Sequence, residues 1–195
     1  EISCSLVVSE ICIRDRSMSS LLKRLVQLVL LVVAVLLIRH YVFSPAAVNG
    51  SSMEPTLHNN DRLWVTSIKK PQRFDIIAFP SPRNGQRVAK RLIGLPGETV
   101  EYRDDTLYIN GVSLSEDYLA SAKRNVSKNE NYTQDFTLET LEATQSLTVP
   151  EGMYFVLGDN RPRSDDSRYF GFVKQASVEG VLTFRYYPLD KIGFP

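Results

Sequence analysis

Cysteine, histidine and net charge are all scarce in this chain, and each scarcity removes a class of chemistry. Only Cys4 and Cys12 occur, both ahead of a long apolar segment, so the residues beyond it have no cysteine nucleophile and no disulfide framework. The two histidines are His40, beside that segment, and His58. A Ser–His pair built on His58 would have to fold back within one short connection, whereas a base ordinarily approaches from a separate part of the fold; His58 therefore reads as a loop residue. No His, Cys, Asp and Glu group has metal-ligand spacing and no glycine-rich phosphate loop is present, so the chain calls for no metal and no cofactor. A formal net charge of +1 gives no electrostatic case for nucleic acid as a partner.

What the chain does have is one apolar run. Leu25 to Ile38 is apolar except for Gln27. As a helix that stretch covers about 21 Å, short of the roughly 30 Å of a bilayer core, so a spanning helix has to extend at both ends. Residues 21–43 give about 35 Å and place Lys23, Arg24 and Arg39 where long side chains can snorkel to the headgroups. Arg14, Arg16, Lys23 and Arg24 precede the run while only Arg39 closely follows, which orients the N-terminus to the cytoplasm. A cleavable signal peptide competes with this reading, because Ser44-Pro45-Ala46-Ala47 supplies small residues after the apolar stretch. Residues 1–17 carry both cysteines and no period, and Met18 opens an ordinary anchor, so translation is expected to begin there. The expected organisation is a cytoplasmic leader (1–20), a transmembrane helix (21–43) and an extracytoplasmic domain (44–195).

Beyond the anchor most of the chain reads as strand. Apolar alternation marks 62–68, 75–79, 87–93, 99–102, 106–109, 153–157 and 181–186, and Asn110-Gly111 is a type I′ hairpin signal. Residues 113–147 are polar, with a short helix expected near 116–122, and read as a mobile insertion or cap on a mostly β core.

Three segments carry chemistry. Asn49-Gly50-Ser51-Ser52-Met53-Glu54-Pro55-Thr56 offers a serine, and Arg87-Val88-Ala89-Lys90-Arg91-Leu92-Ile93-Gly94 offers a lysine inside an apolar strand. A serine hydroxyl is a poor nucleophile without a base, and a lysine is a base only where burial disfavours its charged form. The third segment runs from Leu157 through Gly158, Asp159, Asn160, Arg161, Ser164, Asp166, Ser167 and Arg168. Its small and charged residues mark an elaborate loop in which Ser164, or failing that Ser167, can orient an amine while an Asp166–Arg168 pair stiffens the turn.

In this order the three segments resemble the type I signal peptidases, Ser–Lys proteases of bacteria, across most of the chain after the anchor. The resemblance implies a coiled β-sheet or barrel core and a bacterial membrane location. It implies Ser52, the serine before Met53, as nucleophile and Lys90 as general base. Gly158, Asp159, Asn160, Ser164, Asp166 and Arg168 would buttress them. Residues 74–79, Ile76 and Ile77 among them, would line the site, and an extended substrate would lie along Val48, Gly50, Ser51 and Met53 and along Arg87, Val88 and Ala89. Small residues would be selected at the first and third positions before the cut. Implied partners are exported preproteins with their signal peptides, membrane lipid and the secretion translocon. Two departures stand out: Pro162-Arg163 replaces a common Asp-Asn, and Glu98 replaces the commoner Asp. Gly50 also lacks the hydroxyl that assists the oxyanion in some relatives.

Three other readings share parts of this pattern. A self-cleaving transcriptional regulator would need a DNA-binding domain before Ser52, and a non-catalytic tethered module would be expected to lack Ser52 or Lys90. A maturation protease dedicated to one substrate shares all of the chemistry.

Overall fold

The computed structural model describes residues 20–36, 43–127 and 130–195. Two compact units result, one up to Val42 and one over Phe43–Pro195. In the first, residues 20–36 form helix α1, whose leucines and valines are exposed along its length. Among the described residues no helix is long and apolar enough to cross a membrane. The expected leader up to residue 19 and the end of the expected anchor at 37–42 lie outside the described residues. Phe43 is not helical; it opens the first strand.

The second unit is built of eleven strands in two antiparallel sheets. These are β1 (Phe43–Ala47), β2 (Arg62–Thr66), β3 (Ile76–Pro80), β4 (Arg87–Gly94), β5 (Val100–Arg103), β6 (Thr106–Ile109), β7 (Val112–Leu114), β8 (Phe136–Thr137), β9 (Met153–Leu157), β10 (Val173–Lys174) and β11 (Gly180–Tyr187). The larger sheet has the order β1-β2-β11-β3-β4-β9-β10 and the smaller β7-β6-β5-β8. All seven strands expected from alternation are present, 106–109 and 153–157 with unchanged ends and the others with ends moved by at most two residues. At the β6–β7 turn Asn110 and Gly111 both have positive φ, 51° and 78°, as a type I′ hairpin demands.

Ser44-Pro45-Ala46-Ala47, the small residues behind the competing signal-peptide reading, was not among the expected strands and forms the body of edge strand β1, paired with β2 from Phe43↔Thr66 to Ala47↔Arg62. Proline is tolerated there because an edge strand has a side with no ladder to donate to. The two ends of the larger sheet's first five strands are not far apart: Arg87 of β4 donates to the Pro45 carbonyl at 3.2 Å and to Ser44 Oγ at 3.3 Å on β1. The sheet is therefore coiled.

Three apolar clusters fill the unit. One lies under the smaller sheet, with Tyr102, Leu107 and Phe136 against Ile93, Phe155 and Leu157. A second packs Met53 and Leu57 of the Ser52 loop against Leu63, Val65 and Ile76. The third joins Ile77, Phe79, Leu92, Val156 and Val181 on the other face of β3 and β4. The polar 113–147 segment is pinned to this framework by buried Glu116, Leu119, Thr133 and Leu138, and its helical part is a 3₁₀ turn (Asp117–Leu119) running into α2 (Ala120–Lys123).

Candidate active site

Lys90 stands opposite Ile77 in the β3–β4 ladder, and period two puts Val88 and Leu92 on its face. All three of those neighbours belong to one apolar cluster, so the amine leaves the strand through a dry layer and the residue is only 3% exposed. Burial lowers its pKa to about 8, with the charges of Asp166 and Asp165 working against the shift. Lys90 Nζ donates to Ser164 Oγ at 3.0 Å.

Ser52 reaches the same place from the other side. The 50–57 segment is a succession of turns. Ser51 faces solvent, Ser52 is half-buried and Met53 is buried, so the turns rather than strand alternation give the adjacent serines different surroundings. Gly158 is the meeting point. A Cβ built on it would lie 2.1 Å from Ser164 Oγ and 2.5 Å from the Ser52 carbonyl, so only a glycine lets the β9 loop, Ser52 and the acceptor of Lys90 converge. Asn160 closes the contact by donating its backbone N–H to the Ser52 carbonyl and its side-chain amide to the Ser51 carbonyl, both at 3.0 Å.

The loop after β9 is stiffened from two directions. Asp166 accepts the Gly158 N–H at 3.0 Å, caps α3 (Ser167–Phe170) through the Arg168 N–H, and forms a two-pronged pair with the Arg168 guanidinium, Nε and Nη2 each at 2.9 Å. Asp159, fully buried, receives Arg91 Nε at 2.8 Å and Nη2 at 2.5 Å, and also the Thr56 hydroxyl. One carboxylate thus joins β4, the Ser52 loop and the β9 loop. Ser167 does not approach the lysine: its hydroxyl accepts the Val156 N–H at 3.0 Å, tying α3 to β9. His58 sits in its loop with its backbone N–H on Asp61 at 3.0 Å.

Sequence reasoning quoted Thr56, Arg91 and Arg161 within the motifs but gave them no task. Arg161 is buried and donates to the Gly158 carbonyl (Nε, 3.0 Å), to Glu116 (Nη2, 2.6 Å) and to Tyr102. Glu116 belongs to the polar insertion, so the insertion is wired to the loop that holds Ser164. Burial pushes the Glu116 carboxyl up, but the Arg161 charge and the Tyr102 and Tyr118 hydroxyls outweigh it and hold the group below its ordinary value. An Arg in a loop motif signals a charge partner; which carboxylate it meets is a question of tertiary folding.

A small cleft adjoins Ser52. Its walls are Ala46, Ala47 and Val48 on one side, Val88 and Ala89 on the other, with Arg87 at the rim and Met53, Ala78 and Leu182 beneath. Of the residues expected to meet substrate, Val48, Met53, Arg87, Val88 and Ala89 are in this lining. Gly50 and Ser51 are exposed outside it, and Ile76 and Ile77 are buried in two different core clusters because β3 is covered on both faces. Ala78 takes their place. Strand β4 pairs with β9 only from Arg91 onward, so the Arg87–Ala89 stretch keeps an open edge beside the cleft.

An amine whose pKa burial lowers can, with a serine hydroxyl in reach, do the work that imidazole does in other serine hydrolases. The chain belongs to the signal peptidase family, peptidase S26, whose profile matches residues 21–187. It is 42% identical over 167 residues to a signal peptidase I of Bacillus amyloliquefaciens, covering 83% of this chain and 82% of that one. It is 44% identical over 161 residues to a signal peptidase I of Bacillus caldolyticus, covering 80% and 86%. With signal peptidase I T of Bacillus subtilis (strain 168) it shares 40% identity over 171 residues, covering 85% and 84%.

Proposed function

We propose that this protein is a type I signal peptidase that cuts exported preproteins after their signal peptides, with Ser52 as nucleophile and Lys90 as general base. The observation that carries the reading is a buried amine, lowered to about 8, converging with Ser52 on Gly158 and Ser164. Neutral Lys90 takes the Ser52 proton as the hydroxyl oxygen attacks the scissile carbonyl carbon. The tetrahedral intermediate then collapses: the C–N bond breaks, the amine of the mature chain leaves with the proton from Lys90, and an acyl-enzyme remains. Lys90 next takes a proton from water, whose oxygen attacks the ester; the C–Oγ bond breaks, the Ser52 oxygen leaves with that proton from Lys90, and the signal peptide departs with a new carboxyl end. The Ser52 backbone N–H is the first oxyanion donor in this scheme, and Gly50 supplies no hydroxyl as a second.

The cleft supports the substrate assignment. A peptide adding to the open Arg87–Ala89 edge would present alternate side chains to walls of alanine and valine, where only small residues fit at the first and third positions before the cut. Such substrates reach the enzyme at the membrane. The apolar α1, exposed all round, supports a single-pass anchor, with the N-terminus cytoplasmic, the catalytic unit outside, and lipid and the translocon as neighbours.

Trapping with a serine-acylating inhibitor followed by peptide mass spectrometry tests the assignment. The adduct is expected on Ser52 and absent from Ser52→Ala, whereas Ser51→Ala still labels. An adduct on Ser51, or one that persists in Ser52→Ala, overturns it.

A further inference from the structure

We propose that the first residues of the mature chain, just beyond the scissile bond, leave through a second groove between the Ser52 loop and the polar insertion, where Glu54 favours basic side chains. The inference rests on the Ser52–Lys90 reading and adds a specificity determinant to it.

The argument begins with continuity of the substrate. The cleft between β1 and β4 accounts only for residues before the cut. With the scissile carbonyl at Ser52, the chain beyond it has to continue past that residue, and at about 3.3 Å per residue the next three or four positions span roughly 10–13 Å. A groove begins where the cleft stops. The cleft wall contains Ser52 and Met53; the groove wall contains Glu54 and Pro55, and the two share no lining residue. Asn160, Tyr132, Ala122 and Val126 form much of the rest. The groove is shallow and open to solvent and holds about 390 Å³, toward the lower end of the ~300–1,000 Å³ of sites that take small ligands.

Two features tie it to the reaction. Asn160, in its lining, is the residue that grips the Ser51 and Ser52 carbonyls, so the groove meets the nucleophile's own turn. The opposite wall comes from the insertion, which Glu116 and Arg161 wire to Gly158.

Charge then sets the preference. Among the described residues Glu54 is the only acidic or basic side chain in the lining, and it is half-buried. Among the described residues it has no salt-bridge partner. Lys123, the one cation on α2, is already engaged by Asp105 and Glu116, and Arg124, which follows it, is exposed. A lysine or arginine two to four residues beyond the cut would find a free carboxylate, and an acidic residue there would meet repulsion.

The test uses the full-length enzyme in detergent and two preproteins that differ only at the second to fourth positions after the cut, lysine in one and glutamate in the other. We expect kcat/KM to favour the lysine substrate about two- to fivefold, the range a partly exposed charge pair yields. The ratio should fall to about one in Glu54→Gln and invert in Glu54→Lys. Because each ratio compares two substrates on one enzyme, a general loss of activity in a variant cancels. A wild-type ratio of one, or an unchanged ratio in Glu54→Lys, overturns the proposal. Failure of the catalytic reading would look different: both substrates would still be cut by Ser52→Ala.

Discussion

Lys90 Nζ and Ser164 Oγ lie 3.0 Å apart in a buried hydrogen bond that spans 74 residues of sequence. Ser164 is 5% exposed, so no bulk water stands ready to replace its hydroxyl. Ser164→Ala should lower kcat about three- to tenfold with KM little changed, the loss expected when one orienting bond worth roughly 1 kcal/mol is removed. Turnover equal to wild type under saturating substrate would show that the hydroxyl does not orient the amine.

The pH dependence follows from the direction of the Lys90 shift. Only the neutral amine is a base, so the rate of acylation should climb from pH 6.5 and level off above a midpoint of about 8. Lys90→Arg should be inactive, since a guanidinium does not shed its proton at these pH values. Stability carries the opposite sign from catalysis. The folded pKa lies below the unfolded value near 10.4, so burying the protonated amine costs stability in full below pH 8, and the cost fades as pH rises toward 10. Lys90→Met should therefore stabilise the fold by about 1–3 kcal/mol at pH 7, with the gain shrinking above pH 8 in urea titrations. A gain constant from pH 7 to 10 would mean that Lys90 keeps an ordinary pKa.

Gly158 admits no side chain. In Gly158→Ala the new methyl would collide with Ser164 Oγ and the Ser52 carbonyl, both fixed by other hydrogen bonds. Relief requires a shift of the order of 1 Å, enough to cost about 100-fold in rate, while overpacking of this kind removes about 1–3 kcal/mol of stability. Activity within threefold of wild type would show that the two loops are less tightly matched.

Asp159 is the partner that Arg91 cannot lose. Removing one member of a buried ion pair costs about 3–5 kcal/mol, because the other charge is left without compensation. Asp159→Ala should lose stability on that scale, and Arg91→Met in the same background should recover part of it. A loss below about 1 kcal/mol, or no recovery in the double variant, would show that Thr56 and the ring of Tyr118, 3.9 Å from the guanidinium, suffice to hold Arg91.

Much of this protein was legible along the chain because it depends on local chemistry. Alternation of apolar residues is a property of a strand by itself, so the β character of 62–66, 87–94 and 153–157 is written in their order. The Asn110-Gly111 turn needs only two residues able to take positive φ. A lone lysine between Val88 and Leu92 announces that an amine will be buried if the strand is central. Other features depend on which distant segments meet. Strand β1 was not among the expected strands because Pro45 and its small neighbours have no strand signature, and it is a strand only because β2 offers it a ladder. Ile76 and Ile77 were expected at the site, yet β3 lies inside a coiled sheet and both are covered. The partner of Arg91 is 68 residues away and that of Arg161 is 45 residues away, distances at which sequence carries charge but no address. Ser167 resembled Ser164 in composition and context, and packing alone turned one toward the Val156 backbone and the other toward Lys90. The sequence thus determined which chemical groups are present and which segments can be strands, since both are set by neighbours along the chain. Tertiary structure decided which serine meets the amine, which carboxylate meets each arginine and where a peptide edge stays open, because those depend on the closing of the sheet.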